Sequence, residues 1–245
     1  MSDPTSVGVD GTPDGWLAVR YDGGEFVGVA GYEDVRALWE GVADAATVLV
    51  DVPIGLADDR AARAPEREAR TLLGERRSSV FNVPIRPILG LDYPEANARQ
   101  KAAIGKGLQQ QTHNIAAKIQ EIDEFLRDED TGATQETLRE AHPELCFWAL
   151  NGREAMNTSK TGQPAAAFWE RVGVLETVDD EFRDALFDAG ETVAEWNAAL
   201  SNDDLLDAFA LAVTASDLTG DLRTLPETPE TDGEGLRMEM VYAEP

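Results

Sequence analysis

The chain has 245 residues with 47 acids against 21 bases, a formal charge of −26, so most of its surface repels polyanions and any nucleic-acid partner needs a local exception. One cysteine, Cys146, excludes an internal disulfide and a cysteine-built zinc site, and two histidines leave little for an imidazole-built one. A bound metal would be held by oxygen, which favours Mg2+ or Mn2+.

No run of roughly 18 apolar residues occurs, and the polar start MSDPTS has no signal pattern, so no membrane contact and a cytoplasmic location are expected. Arginine outnumbers lysine 17 to 4 within a dispersed acid excess. That pattern reads as a surface adapted to a high-salt cytoplasm, where self-repulsion is screened.

In chain order, residues 7–10 (VGVD) predict a short buried strand, because Val7 and Val9 are β-branched and Gly11 and Pro13 close the run in a turn. Asp10 then stands at the strand end, and Gly11, lacking a Cβ, leaves room beside it for a metal ion or phosphate. Residues 16–21 (WLAVRY) and 26–30 (FVGVA) predict two more strands joined by Asp22-Gly23-Gly24-Glu25, which completes an antiparallel meander. A helix is expected over 33–42, with Val35, Leu38, Trp39 and Val42 at helical spacing. Residues 47–52 (TVLVDV) predict a buried central strand, parallel to its neighbour, that carries Asp51.

Residues 57–136 read as a largely helical insertion. It holds a helix over 65–73, a loop with Gly74, Arg76, Arg77, Pro84 and Pro87, and a helix over about 107–126 with Leu108, Ile115, Ile119, Ile122 and Phe125 on one face. A polar loop over 128–135 follows. The insertion is locally basic: residues 60–118 contain eleven bases against five acids. Arg76, Arg77 and Arg86, with Lys160 further on, are candidate phosphate contacts. The plainer alternative is that these bases pair with carboxylates elsewhere.

Residues 138–144 (LREAHPE) predict a strand ended by Pro143, with His142 on the face of Glu140 and Glu144 and with Glu144 at the strand end. Helices are expected over 165–175 and 191–200, and a last one over 202–218 capped by Ser201. Asp204 and Asp207, three apart, share a face of that helix. A tail rich in Pro and Glu leads to an edge strand over 237–243. The fold class is therefore α/β: one domain over residues 1–245 with a mixed five-stranded sheet, three strands antiparallel and two parallel, and flanking helices.

Asp10, Asp51, Glu144, Asp204 and Asp207 are the candidate catalytic residues. Strands lie about 4.8 Å apart, so Asp10 and Asp51 on neighbours can share an ion. Carboxylates gathered without histidine or cysteine suit two-metal phosphodiester hydrolysis. Asp51 in an apolar run would be costly to bury without a cation or a donor. Duller roles exist for Asp10, as a turn residue, and for Asp204 and Asp207, as favourable charges at a helix N-terminus.

The stretches GVDGTPDGW, DVPIGL, GERRSSVFNVPIR, EAHPELCF and NDDLLDAFALAVTA, in this order, resemble the domain of unknown function 429 family, described as predicted nucleases with an RNase H fold. The segment from Asp204 to Ala208 (DLLDA) is also similar to the last-helix motif of the Holliday-junction resolvases. The resemblance implies an RNase H-like fold, a divalent-metal nuclease activity, and Asp10, Asp51, Asp204 and Asp207 as metal ligands; Glu144 has no counterpart in the resolvases. Two alternatives stand beside it. One is a non-catalytic module that keeps the fold and binds a partner through the basic segment. The other, from Asp10-Gly11-Thr12, is an ATPase resembling actin and the sugar kinases, which needs a second domain and an adenosine loop that 245 residues do not supply.

Overall fold

The computed structural model describes residues 4–58, 62–196 and 200–245. The antiparallel meander is formed by β1 (Thr5–Thr12), β2 (Gly15–Asp22) and β3 (Glu25–Tyr32). Helix α1 (Val35–Val42) starts where the Asp34 carboxylate accepts from the Ala37 amide at 2.8 Å, and it buries Val35, Leu38 and Val42. Strand β4 (Thr47–Val50) pairs parallel with β1 from the Ser6–Thr47 pair to the Val9–Val50 pair.

The insertion then builds α2 (Ala64–Leu73), a 3-10 stretch over Gly74–Ser79, α3 (Tyr93–Ile104), α4 (Gln110–Asn114) and α5 (Ala116–Arg127). Strand β5 (Leu138–Glu140) returns to pair parallel with β4. After it come α6 (Pro143–Leu150), α7 (Ala165–Glu176), α8 (Phe182–Trp196) and α9 (Asn202–Ala215), then a hairpin of β6 (Arg223–Thr231) and β7 (Arg237–Tyr242). The main sheet has the order β3-β2-β1-β4-β5, and β6-β7 form a separate two-stranded sheet.

Alternation along the strands divides the core into two layers. Val7, Val9, Val48 and Val50 face one side, with α1 and the Ile119, Ile122 and Phe125 face of α5. Leu17, Val19 and Leu49 face the other, against α6, α7, α8 and α9. Helix α9 lies directly on β1. A Cβ at Gly8 would stand 2.1 Å from the Ala208 carbonyl oxygen and 2.2 Å from the Ala212 nitrogen, so only glycine permits this approach.

Several expectations are corrected. Pro143 does not end a strand but opens α6, where a missing amide costs nothing, and His142 caps it: its Nδ1 accepts from the Glu144 amide at 3.2 Å. His142 and Glu144 are therefore not strand residues on the face of Glu140. The helix expected over 107–126 is interrupted at Ile115, and α8 begins at Phe182, well before 191. Residues 197–199 of that expected helix, and Arg60 of the basic segment, lie outside the described residues. The last helix ends at Ala215, because Ser216 turns extended. Strand β7 is no edge of the main sheet; it pairs with β6 and meets β5 through an Ala141–Val241 bridge and the Arg139–Glu239 ion pair at 2.9 Å. No helix among the described residues is long and apolar enough to cross a membrane.

Candidate active site

Asp10 shares the side of β1 that carries Gly8, the side covered by α9, and Asp51 follows Leu49 by the same alternation. The Asp51 amide donates to the Val9 carbonyl at 3.0 Å, which extends the parallel pairing by one step and sets the two aspartates beside each other at the carboxyl ends of β1 and β4. Asp204 and Asp207, in the first two turns of α9, bring their charges to the same place. Asp10, Asp51 and Asp207 line a cavity of about 880 Å³, and Asp204 is not among its lining residues.

Electrostatics show how tightly the carboxylates are drawn together. Burial, followed by the charges of Asp51, Asp207 and Asp204, pushes Asp10 well above the usual carboxylate range. Asp51 is raised to about 8 by burial first and Asp207 second, and Asp204 to about 6 by burial and Asp207. Lys160 is the cation placed among them: its Nζ donates to both Asp207 oxygens at 2.8 and 2.5 Å. Burial pulls its ammonium down, but Asp207 outweighs that and holds it above the ordinary lysine range.

Lys160 sits on a loop that is pinned to α7. The Glu170 carboxylate accepts from the Asn157 and Thr158 amides at 2.6 and 2.8 Å, and Arg171 Nη1 donates to the Thr158 carbonyl at 3.2 Å. The same guanidinium donates through Nη2 to both oxygens of Glu144 at 2.9 and 2.8 Å, with both side chains buried. Glu144 borders the cavity, yet its charge and both oxygens are committed to Arg171. Glu144 thus anchors the arginine that holds the Lys160 loop. Burial, followed by the Lys160 charge, pulls His142 nearby below the ordinary imidazole range.

The basic candidates separate as clearly. Arg86 does not reach the site: its guanidinium is taken by Asp123 at 2.8 Å and Asp232 at 2.6 Å, where it ties the insertion to the β6-β7 hairpin. Arg77 is exposed and not among the lining residues. Arg76 lines the cavity, and among the described residues it makes no ion pair; its Nε is buried without a hydrogen-bond partner. Arg63 is spent on Glu140 at 2.6 Å, and Arg70 on the Val80 and Phe81 carbonyls at 3.0 and 2.7 Å. Arg63, Arg70 and Arg86 are therefore engaged within the fold and are not presented to the cavity.

The sequence reading missed Arg171, whose partner lies 27 residues away, and the lining side chains Phe81, Thr112 and Ile115. Gln-rich 109–111 beside Thr112 was the available signal for a polar wall.

The donor chemistry suits a hard divalent cation: three carboxylates line the cavity, two of them with raised proton affinity, and Lys160 pairs with only one, Asp207. Among the described residues no three His, Cys, Asp or Glu side chains converge tightly enough to enclose an ion. Mg2+ needs no such cage, since it is commonly held by one or two carboxylates, its own waters and a substrate phosphate. Among the described residues Asp10 and Asp51 pair with no cation, whereas Asp207 is engaged by Lys160; one Asp10 oxygen accepts from the Gly11 amide at 2.7 Å.

No curated protein and no solved structure matches the chain. The model of the family described as "Protein of unknown function (DUF429)" matches residues 8–231, nearly the whole of the described fold, and the chain belongs to that family.

Proposed function

We propose that the protein is a divalent-metal-dependent phosphodiester hydrolase with an RNase H-like arrangement of its site. The observation that carries the reading is the meeting of Asp10 and Asp51, on neighbouring parallel strand ends, with Asp207 of α9 at the border of one cavity. Mg2+ or Mn2+, when bound, supplies neutralising charge and a water of lowered pKa. Asp10 and Asp51 would hold the ion, Asp204 and Asp207 would add negative charge to the site, and Lys160 is placed to donate to a phosphate oxygen once it leaves Asp207. Arg76 offers an unspent guanidinium to the same anion.

The test is a hydrolysis assay with Mn2+ in concentrated KCl, on single-stranded, duplex and branched DNA and RNA and on a chromogenic phosphodiester, for wild type and Asp51→Asn. Cleavage by the wild type, lost by more than about 100-fold in the variant, is expected. No cleavage of any diester, together with unchanged Mn2+ calorimetry in Asp51→Asn, overturns it. The grip of Lys160 on both oxygens of Asp207 favours a second reading in that event, a binding module whose own ammonium takes a cation's place.

A further inference from the structure

The cavity has a second end that the carboxylates do not use. A Cβ at Gly11 would stand 3.7 Å from Lys118 Cγ, so the wall formed by α4 and the start of α5 rises directly beside the Asp10 turn. The Lys118 ammonium is itself occupied, 4.6 Å from the Trp16 ring centroid and 3.4 Å from Glu121. From that wall Thr112 borders the cavity with a buried hydroxyl that has no hydrogen-bond partner, and Gln111 adds an exposed amide. The neighbouring strip is fastened to it: Asn82 donates to the Gly107 carbonyl at 3.3 Å and accepts from Arg70 at 3.0 Å. Phe81 on this strip is half-buried and, among the described residues, pairs with no other ring and joins no core cluster, yet lines the cavity. Ile115, one of the few large apolar side chains left exposed, lines it too.

An unpartnered aromatic face, an exposed aliphatic, neutral amide and hydroxyl groups, and an unpaired arginine make up one chemical description. A flat, neutral, heteroatom-rich ring would stack on Phe81 and Ile115 and take hydrogen bonds from Gln111 and Thr112, while an attached phosphate lies toward Arg76 and the aspartates. A volume of about 880 Å³ suits a small organic ligand. A duplex instead requires an extended basic stripe, and the cations that line the cavity are Arg76, Lys118 and Lys160, two of them paired internally.

Resting on the hydrolase reading for the position of the reacting phosphate, we propose that the cavity takes one nucleotide unit, its base held by the Phe81, Thr112 and Ile115 wall. The unit can come from a free nucleotide or from the end of a single strand, and the arms of the experiment separate these sources.

Calorimetry in concentrated KCl, without added metal, measures binding of the four ribonucleoside monophosphates, a dinucleotide, a single-stranded oligonucleotide and a blunt duplex. Binding of a monophosphate or of the single strand, absent for the duplex, is expected. Phe81→Leu, which keeps bulk but removes the aromatic face, and Gln111→Ala, at an exposed position, should each weaken it; for Phe81→Leu a loss of about tenfold or more is expected. Preference for monophosphates identifies a free nucleotide as ligand, and preference for the oligonucleotide a strand end. Thermal melts of both variants report whether they fold, and Gln111→Ala retains the test if Phe81→Leu does not. Metal-dependent cleavage of duplex without nucleotide binding, unaltered in both variants, overturns the nucleotide pocket and leaves the hydrolase standing. Nucleotide binding that depends on Phe81, with no hydrolysis of any diester, does the reverse.

Discussion

Glu144 shows how far a residue's surroundings can redirect its chemistry. Its carboxylate and Arg171 form a buried pair, and removing one partner leaves an uncompensated charge. Arg171→Met should therefore cost about 3–5 kcal/mol in chemical denaturation, and the double change Glu144→Leu with Arg171→Met should recover most of it. Glu144→Gln should leave Mn2+ affinity unchanged where Asp51→Asn abolishes it; equal losses in calorimetry would make Glu144 a ligand. Asp51 carries the clearest pH signature. Its folded pKa, raised to about 8 from an ordinary 3.8, means that the metal-free folded state holds a proton the unfolded state has released. That contribution to stability is intact below about pH 4 and is lost as the pH rises through about 8. Melting temperature of the metal-free protein should fall across this window, and Asp51→Asn should flatten the slope. A slope unchanged in the variant contradicts the assignment.

Among the elements, the contact of β1 with α9 decides where the site is. Gly8→Ala would drive a methyl into the backbone of α9 at Ala208 and Ala212, and should cost about 1–3 kcal/mol or prevent folding, as a melt or expression test would show. Near-native stability of Gly8→Ala would mean that the helix sits farther from the strand. The strands carrying Asp10 and Asp51, and the helix carrying Asp207, were legible because alternation, turn residues and a capping serine are local signals. Helix α3 was not read, since it buries only Ala96 and Gln100; its capping Asp92, Pro94 and terminal Gly105 were the marks to follow. Strand β6 was hidden by two prolines and its polar composition, and it exists because β7 pairs with it. The partners of Glu144 and Arg86 could not be read at all, because contacts between segments far apart in sequence have no local pattern.

For the molecule as a whole, the formal charge of −26 works against compaction at low ionic strength. If the surface is suited to strong salt, the melting temperature should climb as KCl rises from about 0.1 M, where the screening length is about 10 Å, to about 1 M, where it is about 3 Å. A melting temperature that stays flat or falls over this range contradicts that reading of the composition. The β6-β7 hairpin carries a different consequence. Met240 of β7 lines the cavity, Val241 bridges to Ala141, and a Cβ at Gly55 would stand 2.6 Å from the Arg237 carbonyl oxygen. A chain leaves the ribosome from its N-terminus, so Asp10 and Asp51 emerge long before the strand that completes their surroundings. A nascent chain stalled before β7 carries the acidic pair without the Met240 side of its cavity.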